Sequence, residues 1–116
     1  MAAFHRLTRV EERLHQGDVG FDEWEARNRA FHTSLLAACP SRWTLHFLSV
    51  LYQQSERYRR LVLLDTTVPR DVHAEHAALL EASIRRDRQA ACQILDRHIR
   101  TTLEVIRQLP ASRFGE

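Results

Sequence analysis

Apolar side chains recur at steps of three and four residues in five stretches of this 116-residue chain, and only three glycines and three prolines interrupt them. That spacing matches the turn of an α-helix and not the alternation of a half-buried strand. Few breakers mean few turns, so long helices fit better than many short strands. The expected fold is all-α, an antiparallel bundle of about five helices around one core.

Phe4, Leu7, Val10 and Leu14 predict a first helix over about 2–15, ending before Gly17 and Gly20. Asp22 has the carboxylate to cap a second helix, with Glu25 as its capping-box partner and Phe21 as the staple residue ahead of it. That helix is expected to run through Trp24, Phe31, Leu35 and Ala38 until Pro40, which cannot continue the backbone ladder. Ser41 then caps a long third helix, reaching about Leu64, with Leu45, Leu48, Leu51, Tyr52, Tyr58 and Val62 as its stripe. Residues 65–69 read as a turn. A fourth helix over about 71–86 turns Val72, His76, Leu79, Leu80 and Ile84 toward the core, with Glu75 facing solvent and Ser83 near the buried face. Asp87 caps a fifth, which carries Ala91, Ile94, Leu95, Ile99, Thr102, Val105 and Ile106 before Pro110. Residues 111–116 read as a disordered tail. Most breaks are short, so successive helices should pack as antiparallel neighbours.

Size and charge narrow the functional classes. A chain of 116 residues supports one core and not two, and 44% apolar with 28% charged residues is a globular balance. All of the 17 basic side chains are arginines, and the formal net charge is only +2. Asp87 interrupts the run Arg85-Arg86-Asp87-Arg88, and Glu81 lies one turn before Arg85, so no nucleic-acid patch is indicated. Cys39 and Cys92 sit in apolar helical patterns without a CxxC, which points to free buried thiols. No signal peptide precedes Glu11 and Glu12, and no apolar run approaches the roughly 20 residues that cross a bilayer. A cytoplasmic protein with no membrane association is expected.

Seven histidines mark the chain, and three of them fall on inward stripes of different helices. His32 lies on the line Asn28, His32, Leu35, Cys39; His76 aligns with Val72, Leu79 and Leu80; His98 aligns with Ala91, Ile94, Leu95, Thr102 and Val105. Burying an unpaired polar ring costs about 1 to 3 kcal/mol, so three orphans would remove a large part of a stability of about 5 to 15 kcal/mol. One shared divalent ion would satisfy all three. Imidazoles favour zinc, nickel, cobalt or iron, and the Asn28 amide oxygen one turn before His32 could join them. Neutral donors would leave the site cationic, with open positions for an anion. The competing reading is three core histidines, each hydrogen-bonded to a neighbour. His73 is the local rival to His76 but lies off the apolar line, while His5, His15 and His46 read as surface or edge residues.

The segment from Tyr52 to Arg60 is polar for the middle of a long helix. Extending the stripe from Leu48 through Tyr52 brings Ser55, Arg59 and Val62 into line, turning a hydroxyl and a guanidinium inward. Arginine can grip a carboxylate through two parallel hydrogen bonds. The alternative is a solvated face on which Glu56 pairs with Arg60, with Arg57 beside them.

Taken together, Asn28-Arg29-Ala30-Phe31-His32, His73-Ala74-Glu75-His76-Ala77-Ala78-Leu79-Leu80 and Asp96-Arg97-His98-Ile99 resemble the FCD domain, the effector-binding domain of the FadR subfamily of GntR-type bacterial transcriptional regulators. The resemblance runs from the first helix to about Leu109. It implies a helical bundle around a metal, held here by Asn28, His32, His76 and His98, although aspartate is commoner in the family at the position of Asn28. It also implies that Tyr52, Ser55 and Arg59 belong to the effector-contacting helix, with Arg59 meeting a carboxylate. Residues 1–110 would then form an effector-binding and dimerisation domain. Homodimers are typical of the family, and Trp43, Phe47 and Leu63, where exposed, would supply part of an interface. The family's winged helix-turn-helix and first long helix have no counterpart after Met1, so DNA binding would belong to a longer parent protein.

The reading is therefore a metal-dependent sensor of a small organic acid, using zinc or nickel, and not an enzyme. The alternatives are a metal-dependent enzyme, which would need a base beside the metal-bound water, and a structural or interaction bundle without metal.

Overall fold

The structure, a computed structural model, describes residues 2–64 and 69–114. They form α1 (Ala2–His15), α2 (Phe21–Ser34), α3 (Arg42–Leu64), α4 (Val72–Ile84), α5 (Arg88–Gln108) and a short 3-10 helix, Ala111–Phe114. No strand occurs among the described residues, and the fold is all-α as expected. The chain divides into two compact units, one ending at Glu56 and the other beginning at Arg57.

The first unit is built on the α1–α2 hairpin. Phe4 near the start of α1 packs on Phe31 near the end of α2, with ring centroids 5.7 Å apart. Arg13 near the end of α1 pairs with Glu23 near the start of α2 at 3.3 Å, so the two helices run antiparallel. Gly17 makes the exit from α1 possible: its φ is +78°, its N–H donates to the Leu14 carbonyl, and the Asp18 N–H reaches back to Arg13 at 2.8 Å. These bonds form a Schellman motif around a residue free to adopt positive φ. Leu7, Val10, Phe21, Trp24 and Phe31 are buried. Each such side chain contributes roughly 1.5–3 kcal/mol by leaving water.

Both ends of α2 differ from expectation. Gly20, and not Asp22, stands at the N-cap, and Asp22 lies inside the first turn. Starting at Phe21 puts Phe21, Trp24, Asn28 and Phe31 on one buried stripe, and that burial outweighs a capping bond worth about 1 kcal/mol. At the other end α2 stops at Ser34 instead of continuing to Pro40. There the Ser34 hydroxyl donates to the Phe31 carbonyl at 2.6 Å, while the N–H groups of Leu36 and Cys39 bond to the Thr33 and Leu36 carbonyls three residues back. The chain thus tightens into successive turns before Pro40 is reached.

Ser41 caps α3 as expected, accepting from the Thr44 N–H at 3.2 Å. Leu45, Leu48, Leu51 and Tyr58, expected in the core, are exposed. Trp43 is 70% exposed and stacks on exposed Phe47, with centroids 6.2 Å apart. Periodicity shows which residues share a face; it does not show what covers that face.

In the second unit α4 and α5 form another hairpin. Asp71 caps α4 by accepting from the Ala74 N–H, and Asp87 caps α5 by accepting from Ala90, each at 3.0 Å. Between them α4 ends at Ile84, two residues before the expected Arg86, in a second Schellman motif. The Asp87 N–H donates to the Ala82 carbonyl and the Arg86 N–H to Ser83, with Arg86 itself at φ 56°. Leu79, Ala82, Val105 and Leu109 are buried. Ile84 and Ile99, expected inside, are 58% and 60% exposed, and Leu95 is exposed as well. The apolar stripes are wider than the surface the two helices cover on each other. Cys39 and Cys92 are free thiols; Cys39 is half-buried, but Cys92 is exposed rather than buried. The expected turn at 65–69 falls almost wholly outside the described residues, and the segment expected to be a tail begins with the 3-10 turn.

Candidate functional site

The buried stripe of α2 contains three large apolar side chains and one amide. Asn28 is 3% exposed, and its Nδ2 donates to the Tyr52 hydroxyl on α3 at 2.6 Å. With that end of the amide engaged, Oδ1 finds no donor among the described residues. A buried acceptor left this way costs about 1–3 kcal/mol unless a donor or a cation satisfies it. His32 follows one turn later on α2, half-buried, with its ring centroid 5.2 Å from Phe31 and 6.4 Å from Tyr52. The Arg29 guanidinium lies over the Tyr52 ring, 5.5 Å from its centre, and donates to Ser49 at 3.0 Å. Asn28, His32 and Tyr52 are therefore brought together within the first unit.

The second unit brings together His76 and His98. His76 on α4 has no exposed surface, and its ring meets that of His98 on α5 edge-on, with centroids 5.0 Å apart. The two are equidistant along the chain from Asp87, which is why the hairpin opposes them. His73, the rival to His76, is exposed.

Glu75 corrects the sequence reading. It does not face solvent: its Oε1 lies 2.7 Å from His98 Nδ1, and its two oxygens accept from Arg70 Nη2 and Nε at 2.7 and 2.8 Å. Arg70, whose side chain is 9% exposed, also donates to the His98 carbonyl at 3.2 Å. Burial by itself would raise the Glu75 pKa. The hydrogen bonds from Arg70 and His98, with the attraction of their charges, outweigh it and lower the value from the ordinary 4.5 to about 2. The signal was in the spacing, because Glu75 stands three residues after Val72 and four before Leu79, both on the inward stripe. Its charge argued for solvent; Arg70 supplies the partner that burial requires.

Of the expected effector contacts, Tyr52 and Ser55 are half-buried, and the Ser55 hydroxyl donates to the Tyr52 carbonyl at 3.1 Å. Arg59, one turn beyond Ser55 on α3, is half-buried, while Arg57 and Arg60 are exposed.

Residues 2–101 match the FCD domain family over most of the chain. The chain belongs to the FCD family. This FCD domain is similar to an uncharacterized HTH-type transcriptional regulator, BphR, of Paraburkholderia xenovorans (strain LB400), with 42% identity over 109 residues, covering 93% of this chain and 44% of that protein. It is also similar to the HTH-type transcriptional repressor GlaR of Escherichia coli (strain K12), with 30% identity over 115 residues, covering 96% of this chain and 52% of that protein. The chain spans about half the length of the curated relatives it matches. No solved structure matches it. The resemblance read from the segments around His32, His76 and His98 is thus confirmed at the level of the family.

The donor set of this FCD domain suits a transition ion. Asn28 Oδ1 is a buried acceptor without a donor among the described residues, and imidazole nitrogens are the ordinary ligands of zinc, nickel and related ions. No helix among the described residues is long and apolar enough to cross a membrane.

Proposed function

We propose that this FCD domain senses a small organic acid through a divalent transition ion, zinc or nickel, bound by Asn28, His32, His76 and His98. The observation that carries the reading is the buried Asn28 Oδ1, which accepts no hydrogen bond among the described residues. The packing of buried His76 against His98 supports it, since it sets side by side two imidazoles, the ordinary ligands of such ions.

The chemistry of the ligands sets the choice of effector. Three imidazoles and an amide add no negative charge, so the ion keeps its own and favours an anion at its remaining positions. Arg59, on the helix that carries Tyr52 and Ser55, supplies a fork that fits a carboxylate. An effector bound by both would stabilise one arrangement of helices over others, which is how a ligand shifts a regulator between states. The parent regulator acts as a homodimer, with exposed Trp43 and Phe47 contributing to the contact, and it binds DNA through a winged helix outside the matched span.

Catalysis is the weaker reading. A hydrolase needs a base beside the metal-bound water, and Glu75, the carboxylate against His98, is already held by Arg70 with its pKa lowered to about 2.

The test is calorimetric titration of a panel of mono- and dicarboxylates into protein loaded with zinc or nickel and into the same protein stripped by a chelator. Binding that needs the ion, and that weakens at least tenfold in Arg59→Ala, is expected. Equal affinity with and without the ion would contradict the reading.

A further inference from the structure

Arg70 and Glu75 form a half-buried charge pair beside His98, and nothing in the proposed sensing reaction uses either of them. Their geometry constrains the histidine in a particular way. Glu75 accepts two parallel hydrogen bonds from Arg70, at 2.7 and 2.8 Å, and a carboxylate engaged like this has lone pairs and no proton to give. His98 Nδ1 lies 2.7 Å from the same Oε1. An atom at that distance from an acceptor must carry a hydrogen, so the close contact specifies Nδ1–H. Arg70 Nη2 stands 3.5 Å from the same nitrogen, but a guanidinium only donates and cannot accept the Nδ1 hydrogen. Glu75 is therefore the partner that fixes the ring. Arg70 in turn is tied to the backbone, donating to the His98 carbonyl at 3.2 Å.

We propose that Glu75, held in place by Arg70, is a positioning residue that fixes His98 in the Nδ1–H form and so reserves Nε2 as its one metal-binding atom. The proposal rests on the reading of His98 as a ligand, and it adds which ring nitrogen binds and what selects it. Without Glu75, a neutral imidazole exchanges its hydrogen between the two nitrogens, and a fraction of molecules would present N–H to the ion. Such supporting groups typically account for 10–100-fold in metal affinity. Glu75 is well suited to the role because its own position is fixed twice, by the fork of Arg70 and by its place in the first turns of α4 behind the Asp71 cap.

The experiment is nitrogen-15 NMR of the histidine rings in the metal-free full chain at mildly alkaline pH, together with zinc titration of wild type, Glu75→Leu and Glu75→Gln. In the wild type, His98 should show a protonated Nδ1 and a bare Nε2. Glu75→Leu, which removes the acceptor, should bring in Nε2–H signal and weaken zinc binding roughly 10–100-fold. Glu75→Gln keeps an acceptor oxygen and should restore most of both properties. A wild-type His98 protonated on Nε2 would overturn the proposal, and so would a folded Glu75→Leu protein that binds zinc as tightly as wild type. Should Glu75→Leu not fold, the wild-type tautomer and the Glu75→Gln titration decide. If wild type binds no zinc at all, the metal reading fails, and the tautomer alone then confirms or refutes the role of Glu75.

Discussion

Asn28 Nδ2 donates to the Tyr52 hydroxyl at 2.6 Å, which fixes the amide so that its oxygen, and not its nitrogen, is left without a partner among the described residues. If that oxygen is a metal ligand, a charged replacement at the same position should bind more tightly. Asn28→Asp is expected to raise zinc affinity by about tenfold or more, since one charge-assisted contact is worth roughly 1.5–3 kcal/mol. Tyr52→Phe, which releases the amide to rotate, should lower it. Competition titration against a zinc-binding dye measures both, and an unchanged affinity in Asn28→Asp would place Asn28 outside the metal shell.

The network of Arg70, Glu75 and His98 predicts a pH signature. The pKa of Glu75 in the folded chain is lowered from 4.5 to about 2, so its pairing stabilises the fold fully above about pH 4.5 and is lost as pH falls toward 2. At neutral pH Glu75→Gln should cost about 1–3 kcal/mol. The gap in melting temperature between wild type and Glu75→Gln should close through that acidic window. A gap that stays constant from pH 7 to 3 would mean that the carboxylate charge is not what stabilises α4 against α5.

Two helices leave through the same motif with different residues at its left-handed position, Gly17 after α1 and Arg86 after α4. A side chain in that conformation costs about 1–2 kcal/mol. Arg86→Gly should therefore stabilise the fold by about 0.5–1 kcal/mol, once the extra freedom of glycine when unfolded is subtracted. Gly17→Ala should destabilise it by about 1 kcal/mol through the backbone alone, because a Cβ there meets nothing within 4 Å. Chemical denaturation of both variants checks the opposite signs.

Arg59 is expected to act on the effector and not on the ion. Arg59→Lys keeps the charge but loses the two-point grip, and should weaken carboxylate binding by about 1–2 kcal/mol while leaving zinc affinity unchanged. Loss of zinc binding in this variant would move Arg59 from effector contact to support of the metal site.

Much of this was legible in the sequence. The helices follow from apolar spacing and from side-chain caps at Ser41 and Asp87, and the pairing of His76 with His98 follows from their placement either side of one turn. The misreadings have a common physical origin: one-dimensional spacing ranks the faces of a helix without saying how much of each is covered. Leu45, Leu51 and Ile99 sit on the predicted stripes yet remain exposed, and Phe21 draws the start of α2 ahead of the better capping residue. Glu75 is the reverse case. A carboxylate on an inward line reads as solvated until its counter-charge is found, and Arg70 lies beyond the helix, where no periodicity connects them.

The central claim is that one ion joins histidines from three helices. It is tested most directly by elemental analysis of the purified protein after loading with zinc or nickel and removal of excess, on wild type, His32→Ala and the exposed control His46→Ala. One equivalent of metal in wild type and in His46→Ala, with little or none in His32→Ala, is the predicted result. Equal metal in all three proteins, or none in wild type, would contradict it.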